Sequence, residues 1–93
     1  MAYPIPKHYQ SLDPAYLQSE TQGLWERIQK TQESLAKPTS SKASCHLTLA
    51  QDWSDLAHMR LVAQRPPEEI RECWRESLSH SGRVETLAFR RSL

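Results

Sequence analysis

The stretch "RPPEEIRECWRESLSHSG", residues 65–82, carries a start signal, an apolar stripe and a stop, and reading it as one helix decides the fold. Pro67 stands near the first helical position, where no amide donor is needed, and Glu68 and Glu69 suit the positive end of the helix dipole. Ile70, Cys73, Trp74, Ser77 and Leu78 follow at i, i+3, i+4, i+7 and i+8, the spacing of one helix face. The other face alternates Arg71, Glu72, Arg75 and Glu76, a solvated pattern. Gly82 fits a left-handed C-cap, so this helix is expected over 67–80.

Upstream of Pro66 the pattern is again helical. Leu49, Trp53, Leu56, Met59 and Ala63 line one side of a segment that Thr48 can cap, while Leu61 and Val62 point elsewhere. A helix apolar on more than one side is expected to be central, and Pro66 ends it by disfavouring helical dihedrals in the residue before it. Its expected span is 48–64. The segment KPTSSKASCH, within the expected loop 37–47, has almost nothing to bury. Before it, Asp13 and Pro14 open a first helix over 14–36 that ends ahead of Pro38, with Leu17, Leu24, Ile28 and Leu35 on its inner face. Gly23 inside that helix marks either a close helix approach or a weak spot.

The two ends are less regular. Pro4 and Pro6 make residues 1–12 an extended arm, on which Tyr3, Ile5 and Tyr9 are candidate protein-binding side chains. The tail from Arg83 is expected to form a short fourth helix over 83–91, a strand finding no second strand to pair with. The expected fold is therefore all-α: a small antiparallel three-helix bundle, residues 13–93, with an extended N-terminal arm and a possible short C-terminal helix. Trp25, Trp53 and Trp74, one per helix, are expected to meet in its core.

Composition narrows the function. Leu, Ile, Val and Phe make up about 18% of the 93 residues, which permits only a small core. Twelve Lys and Arg against eleven Asp and Glu leave a net charge of +1, so no global field favours nucleic acid or an anionic membrane. The chain has no apolar signal-peptide core and no run long enough for a membrane span, and its two cysteines cannot staple a secreted scaffold; a cytoplasmic location with free thiols is the expectation.

Cys45, His46, His58 and Cys73 are the soft metal ligands, but they lack the paired short spacing of a structural zinc site, and no metal or other cofactor is expected. Cys73 lies on the buried stripe, where desolvation raises a thiol pKa and makes it inert. With two glycines there is no phosphate-cradling loop. No enzyme is expected. The reading that remains is a small non-enzymatic adaptor or assembly subunit that binds another protein or itself, with Phe89 as a further candidate contact. The alternative is a small nucleic-acid-binding regulator. Its helix pair around "QRPP" has a helix-turn-helix outline, and Arg71, Arg75, Arg83, Arg90 and Arg91 would reach the nucleic acid, against the opposition of the neighbouring glutamates.

Overall fold

A computed structural model describes residues 13–92, and side chains up to residue 87. The chain forms three helices: α1 Pro14–Leu35, α2 Lys42–Val62 and α3 Pro67–Ser92. They run up, down and up, with α2 in the middle. α1 and α3 each pack on α2 and, among the described residues, not on each other. The fold is an all-α three-helix bundle. The arm residues 1–12 lie outside the described residues.

α1 begins as its sequence dictates. The Asp13 carboxylate accepts from the Tyr16 amide at 2.9 Å, and Pro14 occupies the first turn. Its inner face buries Leu17, Leu24 and Ile28. An added Cβ at Gly23 would meet nothing within 4 Å, so Gly23 marks no close approach.

α2 starts at Lys42, about two turns earlier than a Thr48 cap would place it. Ser41 is the cap, its hydroxyl accepting from the Ser44 amide at 3.3 Å. Two contacts make the early start worthwhile. The Lys42 ammonium donates to the Leu35 and Lys37 carbonyls at the exposed end of α1, and His46 is buried against α3. The expected loop 37–47 thus shortens to residues 36–41. Along α2, Leu49, Leu56 and Ala57 are completely buried and Trp53 nearly so, which matches the central place that its two-sided apolar pattern predicts.

α2 ends by a Schellman motif. Gln64 takes the left-handed conformation (φ 58°), its amide donates to Leu61 O at 3.1 Å, and the Arg65 amide donates to Arg60 O at 2.9 Å. Pro66 and Pro67 then start α3. This helix does not stop at Gly82: it runs through to Ser92, so no separate fourth helix over 83–91 exists. Gly82 is helical with open space around it, and no left-handed turn is needed there.

The inward stripe of α3 is Ile70, Cys73, Ser77 and His80. Leu78, expected in the core, is 72% exposed, because it lies about a quarter turn round from Ser77. The tryptophans meet the core unequally: Trp53 belongs to it, Trp74 packs against it and Trp25 reaches it through Trp53. Trp53 is buried; Trp25 meets it edge-on at 6.0 Å but stays 40% exposed; Trp74 is half-buried and packs edge-on against His58 at 5.1 Å. They separate because α1 and α3 occupy different flanks of α2.

Glycine and left-handed backbone are thus mismatched in this chain. Gly82→Ala is expected to stabilise the fold by about 1 kcal/mol through helix propensity. Gln64→Gly is expected to stabilise it by a similar amount, about 1 kcal/mol, by removing the Cβ penalty of the left-handed turn. Urea unfolding of both variants measures each effect; a Gly82→Ala variant weaker than the wild type would contradict the continuous helix.

Candidate functional site

α2 and α3 approach closely where small residues face each other. The Ser77 hydroxyl donates to the Ala50 carbonyl at 2.7 Å, both residues being buried. At the same end His46 and His80, buried on their helices, bring their Nδ1 atoms to 2.8 Å. At the other end Arg60 donates to the Glu69 carbonyl and to Cys73 Sγ, each at 3.2 Å. The two helices therefore lie side by side along most of α2, an antiparallel hairpin and not the steeply crossed pair of a helix-turn-helix.

The outer face of this hairpin carries a shallow concavity of about 530 Å³ lined by Leu47, Gln51 and Ser54 of α2 and by Ser77 and Ser81 of α3, among others. Leu47 is 50% exposed. On α3, Trp74, Leu78 and Ser81 stand at i, i+4 and i+7, so Leu78 borders the same surface. The face pairs two solvent-facing leucines with a strip of hydroxyls. Its charged edge is on the α1 side, where Arg27 grips Asp52 through two of its guanidinium nitrogens, Nε to Oδ2 at 3.0 Å and Nη2 to Oδ1. Asp52 is 2% exposed and its partner 60%, so a buried carboxylate is held by a cation that keeps contact with water. The hydrogen bond to Asp52 raises the Arg27 pKa above its ordinary value.

A second cleft, about 820 Å³, opens where the start of α1, the end of α2 and the start of α3 meet, lined among others by Leu17, Thr21, Arg60, Val62, Glu69 and Glu72. Two of its charges pair with each other: Glu69 accepts two bonds of 2.9 Å from Arg65, which hold its carboxyl below the usual range. Cys73 is fully buried beside it. Burial pushes its thiol up, and the opposing Arg60 cation 3.2 Å away is the smaller effect. A protonated, enclosed thiol is a poor nucleophile.

The residues singled out from sequence are dispersed. Tyr3, Ile5 and Tyr9 lie outside the described residues, as do the side chains of Phe89, Arg90 and Arg91, whose backbone belongs to α3. Arg71 and Arg75 are exposed one turn apart; Arg71 pairs with Glu68 at 3.5 Å, and Glu72 stands three residues before Arg75. Arg83 is exposed near the histidine pair. Among the described residues no three His, Cys, Asp or Glu side chains converge as metal ligands: His46 meets His80, whereas His58 packs on Trp74. Nor is any helix there long and apolar enough to cross a membrane.

Sequence reading missed Leu47, Leu78, Asp52 and the histidine pair. Asp52 had a signal, since it breaks the stripe between Leu49 and Trp53 while Arg27 directly precedes Ile28. Leu47 and Leu78 had none, because a leucine beside a stripe reads as core until the helix rotation is known. Comparison of the chain with protein-family models, with curated proteins and with solved structures gave no match.

Arg27→Ala leaves a buried carboxylate without its partner and is expected to cost about 1–3 kcal/mol in urea unfolding. Arg65→Ala removes a solvated pair and should leave the unfolding midpoint near the wild-type value. Equal effects of the two substitutions would argue against a structural role for Asp52.

Proposed function

We propose that this chain is a non-enzymatic helical adaptor or assembly subunit that binds another protein, and that it docks through the outer face of the α2–α3 hairpin. The observation that carries this reading is the exposure of Leu78, 72%, next to the half-exposed Leu47 across a serine-lined concavity. Each helix already buries its own stripe, so these leucines are spare to the core. Single exposed leucines are ordinary; two around one concavity offer apolar anchors, and Ser54, Ser77 and Ser81 are small enough for an incoming helix to approach closely.

A second copy of this chain is the occupant that the face suits on charge. Leu47, Gln51, Ser54, Ser77, Leu78 and Ser81 are uncharged, and the charged residues lining the same concavity, Arg27, Asp52 and Asp55, carry both signs, so a two-fold arrangement need not set like charges against each other. Nucleic-acid binding is less supported, because glutamates accompany Arg71 and Arg75 and the hairpin lacks the crossed geometry that places a recognition helix.

Sedimentation across a concentration series tests the proposal. The wild type is expected to self-associate, and Leu78→Asp, at an exposed helix position, to keep its helical spectrum while its dimer dissociates at least tenfold more readily. A wild type that stays strictly monomeric and co-purifies with nothing would sink the idea, as would a Leu78→Asp variant that associates unchanged.

A further inference from the structure

The His46–His80 contact is a second feature of the hairpin, on the inward side of α3. Both rings are buried, their Nδ1 atoms are 2.8 Å apart, and the ring planes are tilted by 30° with centroids 5.1 Å apart, so the two nitrogens face each other edge to edge. One hydrogen between two facing nitrogens satisfies both: one Nδ1 donates and the other accepts. The Glu76 carboxylate, 3.8 Å from His80 Nε2, favours a proton on that nitrogen. His80 Nδ1 is then the bare acceptor and His46 Nδ1–H the donor.

We propose that this pair is an acid-released latch, which holds residues 42–50 of α2 to residues 77–87 of α3 while both rings are neutral and lets them part when the pair is protonated. The proton count explains why. The neutral pair carries one hydrogen between the facing nitrogens. A first added proton goes to His46 Nε2 and creates a buried cation. A second fills the accepting lone pair and leaves two N–H groups pointing at each other across 2.8 Å. The surrounding charges are Lys42 on α2 and Glu76 and Arg83 on α3. Lys42 and Arg83 oppose protonation of His46, and Glu76 only partly offsets burial at His80.

Burial therefore lowers both histidine pKa values from the ordinary 6.5. Because the closed pair binds protons more weakly than the open one, the contact is intact above about pH 6.5 and weakens as pH falls below it. The position makes this a latch. Among the described side chains of α3 after Ser77, only His80 is buried. Losing it leaves residues 78–87 with only Val84 and Leu87 half-buried, while Ile70 and Cys73 still hold the first half of the helix.

The test combines ring and backbone readouts on the full chain from pH 8 to 4.5. Long-range ¹⁵N–¹H spectra are expected to find His46 and His80 in opposite tautomers at pH 8, both titrating below the same histidines in denaturant. Amide exchange, corrected for its intrinsic pH dependence, is expected to rise at least tenfold in residues 42–50 and 77–87 below that midpoint, and not in residues 17–28 of α1. H46Q/H80Q, whose amides can replace the hydrogen bond, is expected to lose this local pH dependence. Rings that titrate at or above the denatured reference would overturn the proposal, as would exchange that rises uniformly in all three helices. The wild-type titration decides the matter even if the double variant does not fold.

Discussion

The constraint on which the rest of the structure depends is that α2 must bury two flanks at once. α1 and α3 each use α2 as their partner and, among the described residues, their backbones do not come into helix packing with each other. Leu49, Leu56 and Ala57 therefore lose all contact with water, and Trp53 keeps only 4% of its surface exposed. The residue sizes fit the two neighbours. Ala50 lets α3 come close enough for Ser77 to reach its carbonyl, whereas Trp53 reaches toward α1 and meets the edge of Trp25. With so few large apolar residues in the chain, sharing one helix between two partners is what gives a small core continuity.

Apolar stripes fix which faces meet but tolerate sliding and rotation, so the register is left to polar groups on the inward faces. Asp52 admits one position for Arg27, and with it one placement of α1 along α2. Across the α2–α3 contact, Ser77 with Ala50, His46 with His80 and Arg60 with the Glu69 carbonyl pin the hairpin at several levels. A shift by one residue would bury these groups unsatisfied, at about 1–3 kcal/mol for each. The central helix thus supplies the hydrophobic stabilisation, and its polar neighbours select one arrangement among those that bury similar area.

Much of the fold was legible because it is written locally. Asp13-Pro14 and Pro66-Pro67 mark helix starts by chemistry that acts within one turn, and the two-sided pattern of α2 gives its central place. What escaped depends on distant partners. Thr48 has the chemistry of a cap as Ser41 does, and the choice between them is made by Lys42 reaching the end of α1 and by His46 meeting His80, 34 residues on. Gly82 has the chemistry of a stop, yet a stop requires a left-handed turn, and that turn fell to Gln64 instead. The face with Leu47 and Leu78 escaped because the stripe of α3 is rotated: Ser77 is buried as its place on the stripe predicts, but the next inward position goes to the polar His80 and not to Leu78.

That rotation also links the two surfaces of the hairpin. Polar side chains can occupy inward positions on α3 because each finds a partner there, Ser77 on the Ala50 carbonyl and His80 on His46. Turning Leu78 inward would bury a leucine, worth about 2 kcal/mol, but would withdraw Ile70 and Cys73 from the core and leave Ser77 and His80 without their partners. The outward position of Leu78 is therefore fixed together with the inward positions of Ile70, Cys73, Ser77 and His80 on the other side of the same helix. Among the described side chains the second half of α3 buries only His80, with Val84 and Leu87 half-buried, so this part of the arrangement has the lower local stability and the greater freedom to respond. The contacts that hold the core and the residues presented to solvent are in this way parts of one rotational choice.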